Sequence, residues 1–328
     1  MDEQLQERCR LLLENRDHMK KAFTWESGLM HLACAGIYTS EGKLAEPEQA
    51  MACKALLKQS VGVFSQFRGM LQAPVAAMMD VSGEPKALLE RSVAVYQLLK
   101  EGFWGSEYLL LAAMMIARAA DAAQYEAIAD RTHYLYKQIK AVHPFLTSDE
   151  DSSFCALMAL SAKSDNQLLE EAEQCYQLLK QSPFSSNGAQ SLGHALALCD
   201  GAVKERCEKT IELYERLKAG GYKYGVHGEL PSLGIAAMMG GEVCHIAQDI
   251  MDADDWLSRQ KGFGFFGSVD RKTRLMYASM AAQNCYAASS ATQTALTNSV
   301  ITSLLAQQTV LYASVVTAVT AGNAANNN

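Results

Sequence analysis

Core-type positions between residues 122 and 141 fall at Tyr125, Ile128, Thr132, Leu135 and Ile139, and their steps of 3, 4, 3 and 4 hold them on one face of a helix. Similar runs fill the chain. They predict an opening helix over 2–21, then first helices rich in Ala, Met and Gly over 26–38, 66–80, 106–120, 148–162, 187–199, 229–239 and 270–288. More highly charged second helices are expected between them, over 47–59, 85–101, 122–141, 165–181, 202–219 and 242–260. No stretch alternates apolar and polar residues for long enough to demand a strand. Pro47 and Pro85 stand where a first-turn proline is tolerated, and Pro74 and Pro231 should mark a first turn or a kink. Gly102, Gly220, Gly221 and Gly262 follow the ends of second helices, where left-handed caps are expected, and Thr147 to Glu150 has the spacing of a capping box.

A phrase recurs through this pattern. Tyr96, Tyr136, Tyr176 and Tyr214 each precede a lysine by four residues, and Trp256 opens an altered copy; these leading aromatics are spaced by 40, 40, 38 and 42. Trailing aromatics at Phe23, Phe64, Phe103, Phe145, Phe184, Tyr222 and Phe263 are spaced by 41, 39, 42, 39, 38 and 41. A period of roughly 40 residues is that of a helix-pair repeat. The expected fold is therefore all-α: seven helix-pair repeats in a right-handed α/α superhelix, either an open solenoid or an incompletely closed toroid. Phe64, Phe103, Phe145, Phe184 and Phe263 should be buried equivalents at unit junctions.

Composition narrows the picture. With 49% hydrophobic and 20% charged residues the 328-residue chain belongs among globular proteins, and an array adds units without splitting, so one domain is expected over 1–288. The last 54 residues, Leu275 to Asn328, contain no Asp, Glu, Lys or Arg. They are read as the end of the array, an uncharged closing helix over 289–322 packed on it, and a disordered tail over 323–328; the glutamines, serines and threonines within argue against a membrane span. A net charge of −7 with no dense Lys/Arg cluster argues against nucleic acid. Nine scattered cysteines without a C-x-x-C pair, and a charged N-terminus, suit a reducing cytoplasm.

The repeated phrase, the stretch His143 to Asp151, Phe64-Ser65 and Gln260 to Gly264 carry a resemblance running from about Leu11 to Asn284. The chain resembles a family of bacterial proteins, mainly from Gram-positive Firmicutes, that is catalogued as a domain of unknown function. That resemblance implies no activity, cofactor or catalytic residue. Asp252-Ala253-Asp254-Asp255 with the following Trp256 to Gly267 is similar to the repeat of terpene cyclases and prenyltransferases, and its D-x-D-D order to the protonating motif of class II cyclases. This second resemblance implies a helical-hairpin toroid, although Gly-Phe-Phe-Gly stands where the toroid repeat has Gly-x-Trp.

No G-x-S-x-G elbow, phosphate-binding glycine loop or Walker pattern is present, so no catalytic residue, cofactor or metal is assigned. The connections into the first helices gather the remaining chemistry: Asp149, Asp151, Asn187, Gln190, His194, His227 and Glu229 are the candidate ligand-binding residues, with a mouth centred on Asp149, Asn187, His194 and His227. Helix capping explains such residues equally well one by one, but the fourth to sixth units carry more of them than caps require. The functional expectation is a cytoplasmic binding or scaffolding protein engaging a protein, peptide or small ligand; the alternative is a toroid enzyme with a central cavity.

Overall fold

The computed structural model describes residues 1–62, 65–264 and 269–283. All regular structure among them is helical, so the class is all-α. The helices are α1 (Glu3–Ala22), α2 (Gly28–Ser40), α3 (Pro47–Ser60), α4 (Gln72–Val81), α5 (Pro85–Lys100), α6 (Glu107–Ala119), α7 (Tyr125–Val142), α8 (Asp151–Leu160), α9 (Asp165–Leu179), α10 (Ser186–Ala197), α11 (Val203–Ala219), α12 (Leu230–Ala237), α13 (Val243–Ser258) and α14 (Arg271–Gln283). Among the described residues no helix is long and apolar enough to cross a membrane. Phe64, the closing helix over 289–322 and the tail lie outside the described residues.

Local chemistry sets the ends. Pro47 and Pro85 occupy the first turns of α3 and α5, where no N–H is needed. Ser27, Ser106, Ser164 and Ser185 accept from the backbone N–H three residues on and so start α2, α6, α9 and α10. Two expected starts differ. The run at 66–80 begins with a single 3-10 turn, Gln66–Arg68, and α4 follows only from Gln72 because Gly69 takes an extended ψ of −152°. Thr147 does not form the expected capping box: its hydroxyl accepts from Gln190 Nε2 at 3.0 Å, while the Ser148 N–H donates to Asp151 Oδ2 at 2.8 Å. Of the four glycines expected to be left-handed, Gly221 and Gly262 are, with φ of 85° and 91°. Gly102 is required for a different reason, since a Cβ there would lie 2.6 Å from the His133 ring.

Odd-numbered helices bury one face; in α9 that face is Leu168, Ala172, Cys175 and Leu179. Even-numbered helices are buried along nearly their whole length, as in α6 from Leu109 to Ala117. Small residues make that possible: Gly193 of α10 approaches the Ala172 carbonyl of α9, and Gly234 of α12 packs on Leu192 of α10. Basic side chains from neighbouring segments then satisfy carbonyls at the ends of the buried helices, where the helix dipole is negative. Arg91 donates to Ala117 O, Arg131 to Ala159 O and Ser161 O, Lys43 to Val81 O, and Arg206 to Leu196 O and Cys199 O.

Contacts proceed in order through both sets. Along the odd helices α1 packs on α3, α3 on α5, α5 on α7, α7 on α9, α9 on α11, α11 on α13, and α13 on α1. Along the even ones α2 packs on α4, α6 on α8, α8 on α10, α10 on α12, α12 on α14, and α14 on α2, the 3-10 turn at Gln66–Arg68 touching both α4 and α6. Arg16 of α1 donates to Lys261 O at 2.8 Å and lies over the Phe263 ring.

An aromatic in the connection after an odd helix packs edge-on against the tyrosine of the next odd helix: Phe67 on Tyr96, Phe103 on Tyr136, and Phe184 on Tyr214. Phe145 does not take part. It is 98% exposed, contrary to its expected burial, and His143 packs on Tyr176 in its place, ring centroids 4.6 Å apart. His143 caps the end of α7 directly, whereas Phe145 follows it and Pro144 in the turn that leads to α8.

Candidate functional site

The 12-residue α10 starts at the Ser185 cap and places Gln190 and His194 one helical turn apart, on one face. That face forms the floor of a pocket of about 140 Å³ between α7 and α9. Ile139 and Val142 from α7 and Leu169 and Ala172 from α9 supply apolar walls; His143, Glu173 and Tyr176 line it with Gln138. His143 Nε2 lies 2.6 Å from Glu173 Oε2, and Gln177 Nε2 donates to Glu173 Oε1 at 2.6 Å, so the carboxylate is held from two sides.

The floor is less completely paired. Gln190 and His194 are each 2% exposed, and neither Gln190 Oε1 nor His194 Nδ1 has a hydrogen-bond partner among the described residues. Gln190 uses its Nε2 on Thr147. His194 Nδ1 lies 3.3 Å from Asp151 Oδ1 but not in hydrogen-bond alignment with it. Asp151, 1% exposed at the start of α8, is itself anchored by the Ser148 N–H. Burial and then the Asp151 carboxylate push the neighbouring Glu150 carboxyl above its ordinary range. Buried polar atoms are normally paired, and each unpaired one costs about 1–3 kcal/mol, so the two beneath this floor are a local cost to stability.

Asp151, Gln190 and His194 are thus brought together from the candidate set, and the rest are not. Asp149, Asn187 and His227 are exposed, and they line no part of this pocket. Glu229 is buried elsewhere, accepting from the His227 N–H at 3.2 Å and packed so tightly under Gly225 that a Cβ there would meet its carboxylate at 2.2 Å. The mouth centred on Asp149, Asn187, His194 and His227 is therefore replaced by a pocket in which only His194 of those four takes part. Glu173 was missed, although the repeat carried a signal for it. His133, three residues before Tyr136, packs on Phe103; Glu173, three residues before Tyr176, bonds His143 at the same place.

The D-x-D-D run offers no free acid. It lies in the last turns of α13, where Asp252 pairs with the Met1 amino group, Asp254 is clasped by Arg274 at 2.7 and 3.0 Å, and Asp255 accepts from Tyr222 at 2.8 Å. Among the described residues no three His, Cys, Asp or Glu side chains converge on a point able to hold a metal ion. A wider hollow of about 770 Å³ lies between residues 60–62 and 65–67, α5 and residues 103–105, but none of these described lining residues has an unpaired buried polar atom.

The architecture and this pocket define an all-helical protein with a small, partly polar cleft. The chain belongs to the family described as Protein of unknown function (DUF4003), which matches residues 15–310. It is similar to the uncharacterized protein YeaA of Bacillus subtilis (strain 168), 26% identical over 147 residues. That match covers 43% of this chain and 44% of the relative, so it spans less than half of the relative's length. No solved structure matches the chain.

Proposed function

We propose that the chain is a ring of seven helix pairs, odd helices outside and even helices inside, whose function is to bind a small ligand in the cleft between α7 and α9. The ring reading is supported by the contact order of both helix sets, which returns to α1 and α2. The observation that carries the binding reading is the pocket itself, an apolar-walled cleft on which the His143–Glu173 pair and the buried side chains of Gln190 and His194 converge. A cavity of about 150 Å³ takes up benzene, so the buried part of a ligand here has about six non-hydrogen atoms. The test is a ligand-observed NMR screen of fragments of that size on the parent and on Ala172→Leu, with helical circular dichroism checking the fold of the variant. Fragments that bind the parent and are lost in Ala172→Leu support the reading; no fragment distinguishing the two proteins defeats it.

A second reading, a docking end for another protein, is favoured by Trp25, Trp104 and Phe145, all nearly fully exposed in connections that lead into even helices. The toroid-enzyme alternative draws support from two His–carboxylate pairs beside one pocket, His143 with Glu173 and His194 with Asp151, the arrangement general acid–base chemistry uses. The D-x-D-D run lends it none, because its carboxylates are engaged elsewhere.

A further inference from the structure

We infer that the end of the molecule at which each odd helix leads into the next even one docks on an anionic lipid bilayer, an inference independent of the cleft. All seven of these connections lie at one end, because each touches the later half of the next odd helix. Besides the four ring contacts on Tyr96, Tyr136, Tyr176 and Tyr214, Phe23 lies under Lys54 of α3, Tyr222 donates to Asp255 of α13, and Lys261 O accepts from Arg16 of α1. Among the described residues the four most exposed large hydrophobic side chains all stand here: Trp25 at 99%, Phe145 at 98%, Trp104 at 89% and Val142 at 61%.

The same end is basic. From the fourth-last residue of each odd helix to the residue before the next even one, the described residues include twelve Lys and Arg against seven Asp and Glu. The corresponding stretches from even to odd helices, with Asp2, carry three against eight, and the whole chain stands at −7. Two of the seven acids add little to the field, since Glu26 is paired with Lys54 and Glu229 is buried. Lys20, Lys21, Lys58, Lys100, Lys223 and Lys261 are exposed, and none is in an ion pair among the described residues. The negative ends of the odd helices account for cations here, but not for indole rings in solvent. Together they make a membrane interface: cations attract anionic headgroups, while Trp and Phe bury at the boundary between headgroups and acyl chains. A protein partner fits less well, because its anchors cluster at one centre. Trp25, Trp104 and Phe145 instead stand on three separate connections, with Lys58 of α3 between the first two, and a flat bilayer meets all of them at once.

The full chain is titrated with phosphatidylcholine vesicles, with and without phosphatidylglycerol, reading flotation and tryptophan emission. Two of its three tryptophans, Trp25 and Trp104, lie at the docking end, so emission should shift to the blue on the anionic vesicles and not on the neutral ones. Lys58→Ala and Lys100→Ala should each weaken binding about fivefold, the scale of one lysine at an anionic surface. Lys86→Ala, at the opposite end, should leave it unchanged. Trp25→Ala combined with Trp104→Ala and Phe145→Ala should weaken it at least about tenfold, with helical circular dichroism preserved because the three rings are in solvent. Flotation without a blue shift, or flotation that the triple variant does not weaken, overturns the proposal. So does failure to float with the anionic vesicles, which leaves this end to a protein partner.

Discussion

His143 shows how one side chain sets the chemistry of a connection. Phenylalanine at this place, as at Phe103, makes only a ring contact, whereas the imidazole packs on Tyr176 and also bonds Glu173 at 2.6 Å. Phe145 is left in solvent, so Phe145→Ala should change stability by less than about 0.5 kcal/mol, while Tyr176→Ala, which removes a half-buried ring, should cost about 1–3 kcal/mol in urea unfolding. Spacing alone could not make this assignment, because counting aromatics admits Phe145 and passes over a histidine two residues earlier. Glu150 gives a pH prediction. Its folded-state pKa is raised by burial and by Asp151, so its ionised form lowers stability at neutral pH, and the penalty disappears as pH falls through the raised value to below the ordinary glutamate pKa of about 4.3. Glu150→Gln should therefore melt higher than the parent at pH 7, with the gap closing in acid; a gap that is constant from pH 7 to pH 4 would show that charge is not the cause.

Packing between elements depends on contacts that the hydrophobic pattern does not reveal. Helix existence and most bounds were legible because prolines, serines and the 3–4 spacing act locally, within one turn of where they stand. What Gly193 does was not legible, since its constraint comes from α9: an added Cβ would sit 2.9 Å from the Ala172 carbonyl. Backbone cannot yield as a side-chain end can, so Gly193→Ala should separate α9 from α10 and cost about 1–3 kcal/mol. Because Ala172 is also a pocket wall, the same change should alter fragment binding. Arg206 is a second hidden constraint. From inside α11 it reaches the last carbonyls of α10 and Glu171 of α9 at 2.7 Å. Burial alone would raise the Glu171 pKa, but hydrogen bonds from Lys163, Gln167 and Arg206 outweigh it and hold the carboxyl below its ordinary range. Arg206→Met removes one of two donors from each of those carbonyls and from Glu171 Oε2; about 3 kcal/mol is expected, at the low end for a broken buried pair, because the Cys199 N–H remains on Leu196 O at 3.0 Å and Lys163 on Cys199 O at 2.6 Å and on Glu171 at 2.9 Å.

At the scale of the molecule, the question is whether the first and last helix pairs behave as ends. A period of roughly 40 residues states that units resemble one another, but closure depends on the small rotation between successive units, and that rotation arises from the summed shapes of many side chains. The decisive contacts lie between parts of the chain about as far apart in sequence as possible, Arg16 with Lys261 and Phe263, and Gly36 with Met280 and Tyr277, so no local pattern could announce them. They have an energetic consequence. In an open array the terminal units have one neighbour each and open first, with protection rising toward the middle. In the proposed ring α1 has α3 on one side and α13 on the other, the same surroundings that α7 has between α5 and α9. Native-state hydrogen exchange should then give α1 and α13 opening free energies close to those of α7, and Arg16→Ala should lower the protection of α1 and α13 together while leaving α7 unchanged. Slow exchange confined to α5 through α9, with α1 and α13 exchanging independently of each other, would mean that the contacts between the first and last pairs are too weak to close a ring.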